Sequence, residues 1–270
     1  MRITALYSYP VKGCHRIEHD VAEVEPWGLA GDRRWLMVDP DGVGITQRDT
    51  PRLTQLRVRH RPGGLVLSAP GRPDLDIDEP KDGPIEGVRV FRRKQAVPGR
   101  VAEKEWSSRF LGRDARLVWQ QDTRGRALES HAQPDDRVSF ADGFPMLLAN
   151  EGSLAALNDW LSSAAHEPVP MTRFRPNLVV GGAPAWAEDS WLGQRLRVGD
   201  ATFRAAKACA RCLVTTIDQE TGEKGREPLR MLAEHRRFDD GLLFAINLIP
   251  DMSGVSIKVG DPVDVLGPNG

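Results

Sequence analysis

The chain has 270 residues, of which 40% are hydrophobic, 28% charged and 6% aromatic, a composition typical of a soluble globular protein with one large domain or two modest ones. Lys and Arg number 37 and Asp and Glu number 38, which gives a net charge of −1, so overall charge offers no argument for binding nucleic acid or an anionic membrane. No stretch approaches the roughly 20 apolar residues of a membrane span, and no secretory signal is evident. Three cysteines are too few for a disulfide scaffold, which favours a reducing cytoplasm.

Short strand-like segments separated by glycine and proline dominate the first 120 residues. Alternation at Ile3, Ala5 and Tyr7 predicts a first strand, and the Arg-Pro-Gly-Gly sequence at 61–64 predicts a hairpin turn. Further strands are predicted over 21–26, 33–39, 56–60, 65–68 and 115–120. One helix is predicted over 102–112, with Gly112 as its stop. This pattern is typical of a β-sandwich or barrel.

The second half mixes helices with strands. Residues 121–137 have no hydrophobic period and predict a domain boundary or mobile loop. A helix is predicted over 150–161 with Asn150 as its N-cap, and a shorter one over 227–237 with proline near its start. Buried strands are predicted over 176–182, 195–206 and 242–250, and a last strand pair over 257–266 is broken by a Gly-Asp-Pro turn.

Two of the three cysteines, Cys209 and Cys212, lie three residues apart in KACARCLVTTID. A redox pair with this spacing is typical of a strand-loop-helix context, whereas the β-branched LVTTID segment predicts a strand after Cys212. A zinc site needs two further ligands at suitable spacing, and neither Cys14 nor the six histidines form such a set. Two small buried side chains near a sheet edge are the ordinary interpretation for a cytosolic protein.

Two cations flank the cysteine pair and argue against that ordinary interpretation. Lys207 and Arg211 lie beside the thiols, and neighbouring cations favour the thiolate form that binds metals. A single thiolate among basic residues suits a thiophilic metal whose other ligands arrive on an anionic cofactor. From the residues alone, the redox, zinc, buried and cofactor interpretations stay open.

Other basic residues lie near predicted strand ends, although surface charge is the ordinary interpretation of any single Lys or Arg. Lys12 precedes Gly13, and glycine lets a backbone approach a ligand closely. Arg175 enters a predicted buried strand, where a cation needs an acceptor such as phosphate. Arg48 fits an exposed turn equally well. Residues 143–153 offer backbone amides at a helix entrance, a general anion site.

Several segments occur in an order that resembles the MOSC family: YPVKG, GDRRWLMVD, TQRDTPRL, TRFRPNLVV, AWAEDSW, ACARCLVTTID, EPL and IKVGDPV. The chain is similar over nearly its whole length to the group that includes the mitochondrial amidoxime-reducing component. This resemblance implies a strand-dominated α+β protein with the MOSC β-barrel fold. It implies an N-terminal β-rich MOSC-associated domain over 1–120 and a MOSC domain with the metal-ligand cysteine over 121–270.

The resemblance also implies a molybdenum cofactor, in which a pterin dithiolene chelates the metal and one protein cysteine adds a further sulfur. In the family pattern A-C-x-R-C the metal ligand falls on Cys212, which is then also the catalytic residue, and Cys209 is only a neighbour. The cofactor-binding positions implied in this way are Lys12, Arg33, Arg175, Asn177, Ala210 and Arg211.

The implied activity is reduction of N-hydroxylated compounds, such as hydroxylamines, amidoximes and N-hydroxylated bases, by removal of oxygen. Electrons then come from a separate haem, flavin or iron–sulfur protein, and neither nucleic acid nor membrane is an expected partner. Asp189 and Asp218 are proton-donor candidates by position alone, and capping is their ordinary role. The alternative is a module that carries the molybdenum cofactor or sulfur without turnover.

The chain departs from the family pattern at one loop. Gly143 and Phe144 stand before Pro145, where the eukaryotic relatives have hydroxyl residues before the proline of the cofactor loop. Side-chain hydrogen bonds are lost there and only backbone amides remain, which predicts weaker cofactor binding at this loop. The chain is also expected to lack the membrane-anchoring leader of those relatives and the extra cysteines of a ferredoxin-like extension.

Overall fold

The computed structural model describes residues 1–90 and 95–268 of the chain. The strands of the first half are β1 (Arg2–Ser8), β2 (Ile17–His19), β3 (Val21–Glu25), β4 (Gly28–Leu29), β5 (Trp35–Val38), β6 (Arg57–Arg61), β7 (Gly64–Ser68), β8 (Leu75–Asp78), β9 (Ile85–Val88), β10 (Val97–Glu103) and β11 (Arg116–Trp119). The strands of the second half are β12 (Met146–Asn150), β13 (Leu178–Gly181), β14 (Gln194–Val198), β15 (Ala201–Ala210), β16 (Arg237–Phe238), β17 (Gly241–Pro250), β18 (Val255–Lys258) and β19 (Val263–Pro268). The α-helices are α1 (Glu105–Leu111), α2 (Glu151–Ser163) and α3 (Leu229–His235). The predicted strand-dominated α+β class is confirmed.

A nine-stranded sheet draws on both ends of the chain. Its order is β19-β14-β15-β17-β12-β13-β1-β2, with β16 on β17. Strand β1 pairs with β13 on one side and β2 on the other, and only β12 and β13 run parallel in this sheet of the described residues. Strand pairing therefore crosses the domain division at 120/121, which itself stays a prediction. Residues 269 and 270 of the predicted second domain lie outside the described residues.

Three smaller sheets complete the strand architecture of the described chain. Their orders are β5-β11-β10-β9, β18-β3-β4 and β6-β7-β8. The predicted hairpin is confirmed, since β6 pairs antiparallel with β7 from Arg57 opposite Ser68 to Arg61 opposite Gly64. The two last strands were predicted as a pair, and this is wrong. Strand β18 pairs with β3 and β19 pairs with β14, so the Gly-Asp-Pro turn passes the chain from one sheet to another.

The α-helices begin and end close to the predicted residues. Helix α1 begins later than predicted because β10 continues to Glu103, whose carboxylate accepts the amides of Trp106 and Ser107 at 2.5 and 2.8 Å. Gly112 ends it in the left-handed conformation at φ 69°, as glycine permits. The Asn150 N-cap is confirmed, since its side chain accepts the Gly152 amide at 3.0 Å. No helix in the described part of the chain is long and apolar enough to cross a membrane.

Two apolar clusters meet where the chain leaves its first strand. Ile3 and Leu6 pack in the cluster of the nine-stranded sheet, whereas Val11 belongs to a second cluster that includes Trp35 and Phe110. Tyr9 lies between Leu6 and Val11 in the sequence and is only 1% exposed. This crossing point fixes the backbone from which the first cavity residues project.

Candidate functional site

A cavity of about 430 Å³ lies where loops of the first half meet the ends of β12, β15 and β17. All of the residues that the sequence resemblance places in a site line this one cavity: Lys12, Arg33, Arg175, Asn177, Ala210, Arg211 and Cys212. They come from positions as far apart as 12 and 212, so the fold brings together what the sequence separates. Their individual roles stay predictions.

Tyr9 lies behind one side of the cavity, where the two lining arginines Arg33 and Arg175 stack on its ring. The Arg175 guanidinium carbon lies 4.1 Å from the ring centroid and that of Arg33 lies 4.6 Å from it. The Tyr9 hydroxyl donates to the Pro176 carbonyl at 3.0 Å, and burial raises its pKa to about 12. The ring is therefore a neutral, fixed surface that orients two cations.

Both arginines have an unusual backbone conformation. Arg33 has φ 50° and Arg175 has φ 56°, in the left-handed region that costs non-glycine residues on the order of 1 kcal/mol or more. Arg175 lies directly after the 3-10 helix Met171–Phe174. Such conformations persist where surrounding contacts determine them, and here each one aims a guanidinium at the cavity.

A buried carboxylate fixes Arg33. Asp32 is 1% exposed and uses both oxygens, accepting the Tyr9 amide at 2.7 Å and Arg33 Nη1 at 2.5 Å. Arg33 Nη1 also donates to Asn177 Oδ1 at 3.0 Å. A buried charge needs both a counter-ion and hydrogen bonds. Asp32 and Asn177 supply these, so Arg33 can remain charged although it is largely buried.

Asn177 joins the cavity to the sheet beneath it. Its Oδ1 accepts the Leu147 amide at 3.2 Å, and its Nδ2 donates to the Tyr7 carbonyl at 3.1 Å. These bonds tie β12 to the end of β1. Asn177 is fully buried and lines the cavity, so its amide is held in place by the protein's own contacts. We call Tyr9, Asp32, Arg33, Arg175 and Asn177 the arginine wall.

Arg175 lacks a carboxylate partner of this kind in the described chain. Its Nη1 donates to the neutral Gln219 Oε1 at 2.8 Å. Burial lowers its pKa to about 10, and the positive charge of Arg33 contributes to the lowering. A bound anion would relieve both effects, which makes this part of the wall suited to phosphate.

Lys12 and Asp142 form an ion pair at another part of the cavity, with Nζ 2.7 Å from Oδ1. Burial lowers the pKa of Lys12, and Asp142 opposes this lowering. Burial raises the pKa of Asp142, but attraction to Lys12 outweighs it, so the pKa lies below its ordinary value. Asp142 was missed by the sequence analysis, although it directly precedes the loop with Gly143 and Phe144.

Cys212 lies at an open corner of the cavity. Strand β15 ends at Ala210, and Cys212 begins the 3-10 helix Leu213–Thr216. Its side chain is exposed, and Arg48 Nη2 approaches Sγ at 2.9 Å. Leu213 beside it is 62% exposed. We call Arg48, Cys212 and Leu213 the thiol corner.

The predicted strand after Cys212 is wrong. The Thr215 and Thr216 hydroxyls donate to the carbonyls of Cys212 and Leu213 at 2.9 and 2.8 Å. These local bonds, three residues back along the chain, stabilise a helical turn and outweigh the strand propensity of β-branched residues. The turn bends the chain so that Cys212 faces the cavity opening.

Cys209 differs from Cys212 although it is only three residues away. It is half-buried and packs on the apolar cluster behind the cavity. Arg211 Nη1 donates to its Sγ at 2.9 Å, and Arg211 Nη2 donates to the Phe174 carbonyl at 2.7 Å. The interpretation of both thiols as buried apolar side chains does not hold for Cys212. No group of three His, Cys, Asp or Glu residues suited to a metal occurs among the described residues.

The charges around the cavity favour an anionic ligand. Asp142 is the one carboxylate that lines it within the described chain. The cations that line it are Lys12, Arg33, Arg48, Arg175, Lys207 and Arg211. In addition, Arg211 Nε is buried and has no hydrogen-bond partner in residues 1–90 and 95–268, as expected of a donor that a ligand satisfies. One exposed thiol among these donors fits a thiophilic metal held by a phosphorylated organic ligand.

The two aspartates considered as proton donors lie outside the cavity lining. Asp189 accepts Arg236 Nη2 at 2.6 Å. Asp218 accepts the amides of Glu220 and Thr221 at 2.8 and 2.9 Å. Both carboxylates thus have the capping and pairing contacts that are ordinary for such residues.

Two family models match the chain in sequence order. The model of the MOSC N-terminal beta barrel domain matches residues 1–114, and the model of the MOSC domain matches residues 135–264. Together with the strand-dominated fold, they confirm the MOSC β-barrel class. The chain belongs to the family of MOSC-domain proteins that includes the mitochondrial amidoxime-reducing components.

Individual relatives cover almost the whole chain. Mitochondrial amidoxime-reducing component 1 of Homo sapiens is 33% identical over 98% of this chain and 83% of its own length. Mitochondrial amidoxime reducing component 2 of Bos taurus is 33% identical over 97% of this chain and 82% of its own length. A protein of Oryza sativa named molybdenum cofactor sulfurase is 31% identical over 92% of this chain, which corresponds to 32% of its own length.

Proposed function

We propose that this chain is a molybdenum-cofactor-dependent oxidoreductase that reduces N-hydroxylated compounds and receives its electrons from a separate haem, flavin or iron–sulfur protein. Relatives similar over nearly the full chain are named amidoxime-reducing components, and an amidoxime is an N-hydroxylated compound. Hydroxylamines, amidoximes and N-hydroxylated bases are the proposed substrate classes.

The observation that carries the proposal is one exposed thiol at the mouth of a cationic cavity. Cys212 is exposed and Cys209 is packed against Arg211, so the two thiols have different accessibility to a metal. Thiolate sulfur is a ligand for soft or thiophilic metals. The surrounding guanidinium and ammonium groups suit a phosphate on the same ligand.

The residues have distinct proposed parts in holding the cofactor. Cys212 would ligate the metal, and the backbone of Ala210 would line the pterin beside it. The residues that would hold the pterin and its phosphate are Lys12, Arg33, Arg175, Asn177 and Arg211. When bound, the cofactor would supply the two-electron chemistry that removes the substrate oxygen.

The chain itself contributes binding, orientation and proton placement. The overall conversion takes R–NH–OH, two electrons and two protons to R–NH2 and water. Lys12 holds a proton on Nζ at the cavity wall, where it donates to Asp142. Phe144 and Ile45 add apolar surface to the lining, which favours planar or apolar substituents on the substrate and limits water.

The test is molybdenum content measured by elemental analysis in wild type, Cys212→Ser and Cys209→Ser, all produced in a host that makes the cofactor. We expect near-stoichiometric metal in wild type and in Cys209→Ser, and at least a tenfold loss in Cys212→Ser, since a hydroxyl is a poor ligand for a thiophilic metal. Reduction of a hydroxylamine and an amidoxime by the loaded protein then tests the substrate class. Equal metal in Cys212→Ser, or none in wild type, would contradict the proposal.

A carrier function is the second candidate, favoured by the exposure of Cys212 and by the relative named molybdenum cofactor sulfurase. An exposed thiol can carry a sulfane sulfur without turnover. Cyanide-labile sulfur on Cys212, in a protein that holds no molybdenum, would favour the carrier over the reductase.

A further inference from the structure

Two buried glutamines connect the segments that form the cavity. Gln47 is 2% exposed and Gln219 is 4% exposed, and the two lie 172 positions apart in the chain. Gln47 Nε2 donates to Gln219 Oε1 at 2.9 Å, and Gln219 Nε2 donates to Gln47 Oε1 at 3.1 Å. The side chains therefore form a reciprocal amide pair.

The remaining amide hydrogens of the pair are donated to backbone carbonyls of the protein. Gln47 Nε2 also donates to the Gly13 carbonyl at 2.7 Å, and Gln219 Nε2 also donates to the Ile217 carbonyl at 2.9 Å. With two hydrogens on each amide nitrogen, all four donors are accounted for. Gln219 Oε1 then accepts a second bond, from Arg175 Nη1 at 2.8 Å. Neither glutamine has a donor left for a ligand, so their effect on the cavity passes through Arg175 and Gly13.

We propose that Gln47 and Gln219 are positioning residues that hold the Arg175 guanidinium and the Lys12–Gly13 backbone in the geometry that binds the phosphate of an anionic ligand. The inference rests on the proposed function only in taking the cavity as the site of a phosphorylated ligand. It goes beyond the residues named above as ligand contacts, because Gln219 lies outside the cavity lining, and Gln47, which lines the cavity, has both amide hydrogens engaged within the protein.

Neutral partners are suited to this task. A carboxylate at position 219 would neutralise Arg175 and compete with an incoming phosphate, whereas an amide oxygen orients the guanidinium and leaves its charge for the ligand. Asp32 differs in this respect, because it pairs directly with Arg33 at 2.5 Å. Of the two arginines in the wall, Arg175 is therefore the one that would gain most from a negatively charged ligand as its counter-ion.

The turn that carries Gln219 is fastened to the first half of the chain on its outer side. Glu220 accepts Arg16 Nη1 at 2.6 Å and Arg57 Nη2 at 2.8 Å, and Gln55 Nε2 donates to the Thr221 carbonyl at 3.1 Å. These contacts place the turn without touching Arg175. They provide a way to separate anchoring of the turn from positioning of the guanidinium.

The test measures binding of inorganic phosphate by calorimetry to the full chain, produced in a host that cannot make the pterin cofactor. The variants are Gln47→Met and Gln219→Met, which keep side-chain length, their double variant, and Gln55→Met as the matched control. We expect each single variant to weaken phosphate binding about tenfold, as loss of a buried hydrogen-bond network implies. The double variant should add less than about twofold, because the two amides act as one unit.

Thermal unfolding of the same samples distinguishes positioning from a purely structural role. Gln55→Met should lower the unfolding midpoint slightly and leave phosphate affinity within about twofold of wild type. Unchanged affinity in Gln47→Met and Gln219→Met, or no phosphate binding by wild type, would overturn the inference. Should the methionine variants not fold, Gln219→Glu keeps an acceptor for Arg175. We expect it to fold and to bind phosphate at least tenfold more weakly, and wild-type affinity in this variant would also overturn the inference.

The outcomes separate this inference from the proposed function. Phosphate binding requires no molybdenum, and the metal test at Cys212 requires no change at the amide pair. A wild type that holds molybdenum through Cys212, together with glutamine variants that bind phosphate normally, would reject the positioning role alone. Phosphate binding that depends on the glutamines, in a protein that never holds molybdenum, would reject the reductase alone.

Discussion

The arginine wall and the thiol corner each contribute residues to the lining of one cavity, but they differ in burial and partners. In the wall, Tyr9 and Asp32 are 1% exposed, and two arginines stack on one ring. In the corner, Cys212 and Leu213 are exposed. The wall is fixed before a ligand arrives, whereas the corner is open to solvent and to whatever approaches the cavity.

Because of this difference, one cavity can combine tight binding with reactivity. Preorganised cations lose little freedom when they bind an anion, and their strain is offset by buried contacts. Under the proposed function, a metal ligand at this open corner would leave room for a substrate and for an electron-donor protein.

The largest expected effect is a difference in thiol reactivity. Burial raises the pKa of Cys14 to about 12, so at pH 8 only roughly one Cys14 in 10⁴ is a thiolate. Cys212 is exposed and Cys209 is half-buried. We expect iodoacetamide to modify Cys212 first, Cys209 more slowly, and Cys14 at least about 1,000-fold more slowly than Cys212. Peptide mass spectrometry over a time course measures these rates.

The denatured chain is the control for this labelling, because unfolding removes the burial that separates the three sites. All three cysteines should then react at similar rates. Comparable labelling of Cys14 and Cys212 in the folded protein would show that the first-half core opens readily, and the contrast between wall and corner would not stand.

The second effect is on stability. Asp32→Asn removes the charge that pairs with Arg33 at 2.5 Å, while the shape of the side chain is kept. Because it leaves a largely buried guanidinium without its counter-ion, we expect a loss of about 3–5 kcal/mol in the free energy of unfolding. Guanidinium chloride denaturation measures this loss.

Asp78→Asn is the matched control for that variant. Asp78 pairs with Arg61 at the same distance of 2.5 Å, but its side chain is 79% exposed. An exposed pair contributes at most about 1 kcal/mol. Equal losses in the two variants would mean that burial does not distinguish the wall from an ordinary surface ion pair.

The fold was predictable where sequence pattern and local chemistry agree. Alternation in β1, the Arg-Pro-Gly-Gly hairpin, the Asn150 cap and the Gly112 stop are all local signals, and the structure contains each of them. The segment after Cys212 was predicted incorrectly because hydroxyl-to-carbonyl bonds of Thr215 and Thr216 compete with the strand propensity of the same residues.

The site was predictable only in part, because some of its residues interact with partners that are far away in the sequence. Lys12, Arg33 and Arg175 carry charge beside strand ends, so sequence reasoning could select them. Gln47 and Gln219 carry no charge and no motif, and each becomes significant only through the other, 172 positions away. Strand pairing across the whole chain creates that proximity, and no local signal indicates it.

The third effect is pH-dependent and concerns Glu220, which fastens the turn whose Gln219 bonds to Arg175 of the arginine wall. Burial favours the neutral form of Glu220, but hydrogen bonds from Arg16, Arg57 and His15 outweigh it and lower its pKa from 4.5 to about 2. A lowered carboxylate pKa stabilises the folded state above pH 4.5, and this contribution is lost as the pH falls towards 2. Because Glu220 is about half exposed, we expect on the order of 1 kcal/mol.

Unfolding of wild type and Glu220→Gln between pH 2 and 7 measures this contribution. The difference in stability should be constant above about pH 5.5 and should fall steadily between pH 4.5 and 2, with only a small remainder at pH 2, as follows from the two pKa values. A difference that stays undiminished down to pH 2, or that grows as the pH falls, would assign the effect of the substitution to packing and not to the ion pairs.

The smallest expected effect concerns the loop at Gly143 and Phe144, where the family resemblance predicts a missing hydroxyl. Phe144 lines the cavity and its ring lies 6.1 Å from that of His131. If a hydroxyl at this position donates a hydrogen bond to the proposed cofactor, Phe144→Ser should slow the loss of that cofactor by about two- to threefold, the worth of part of one hydrogen bond. Metal content during dialysis measures that rate, and Phe144→Ala separates the added hydroxyl from the removed ring. Equal rates in the serine and alanine variants would mean that retention depends on the preformed arginine wall, and that this loop contributes apolar lining without a polar contact.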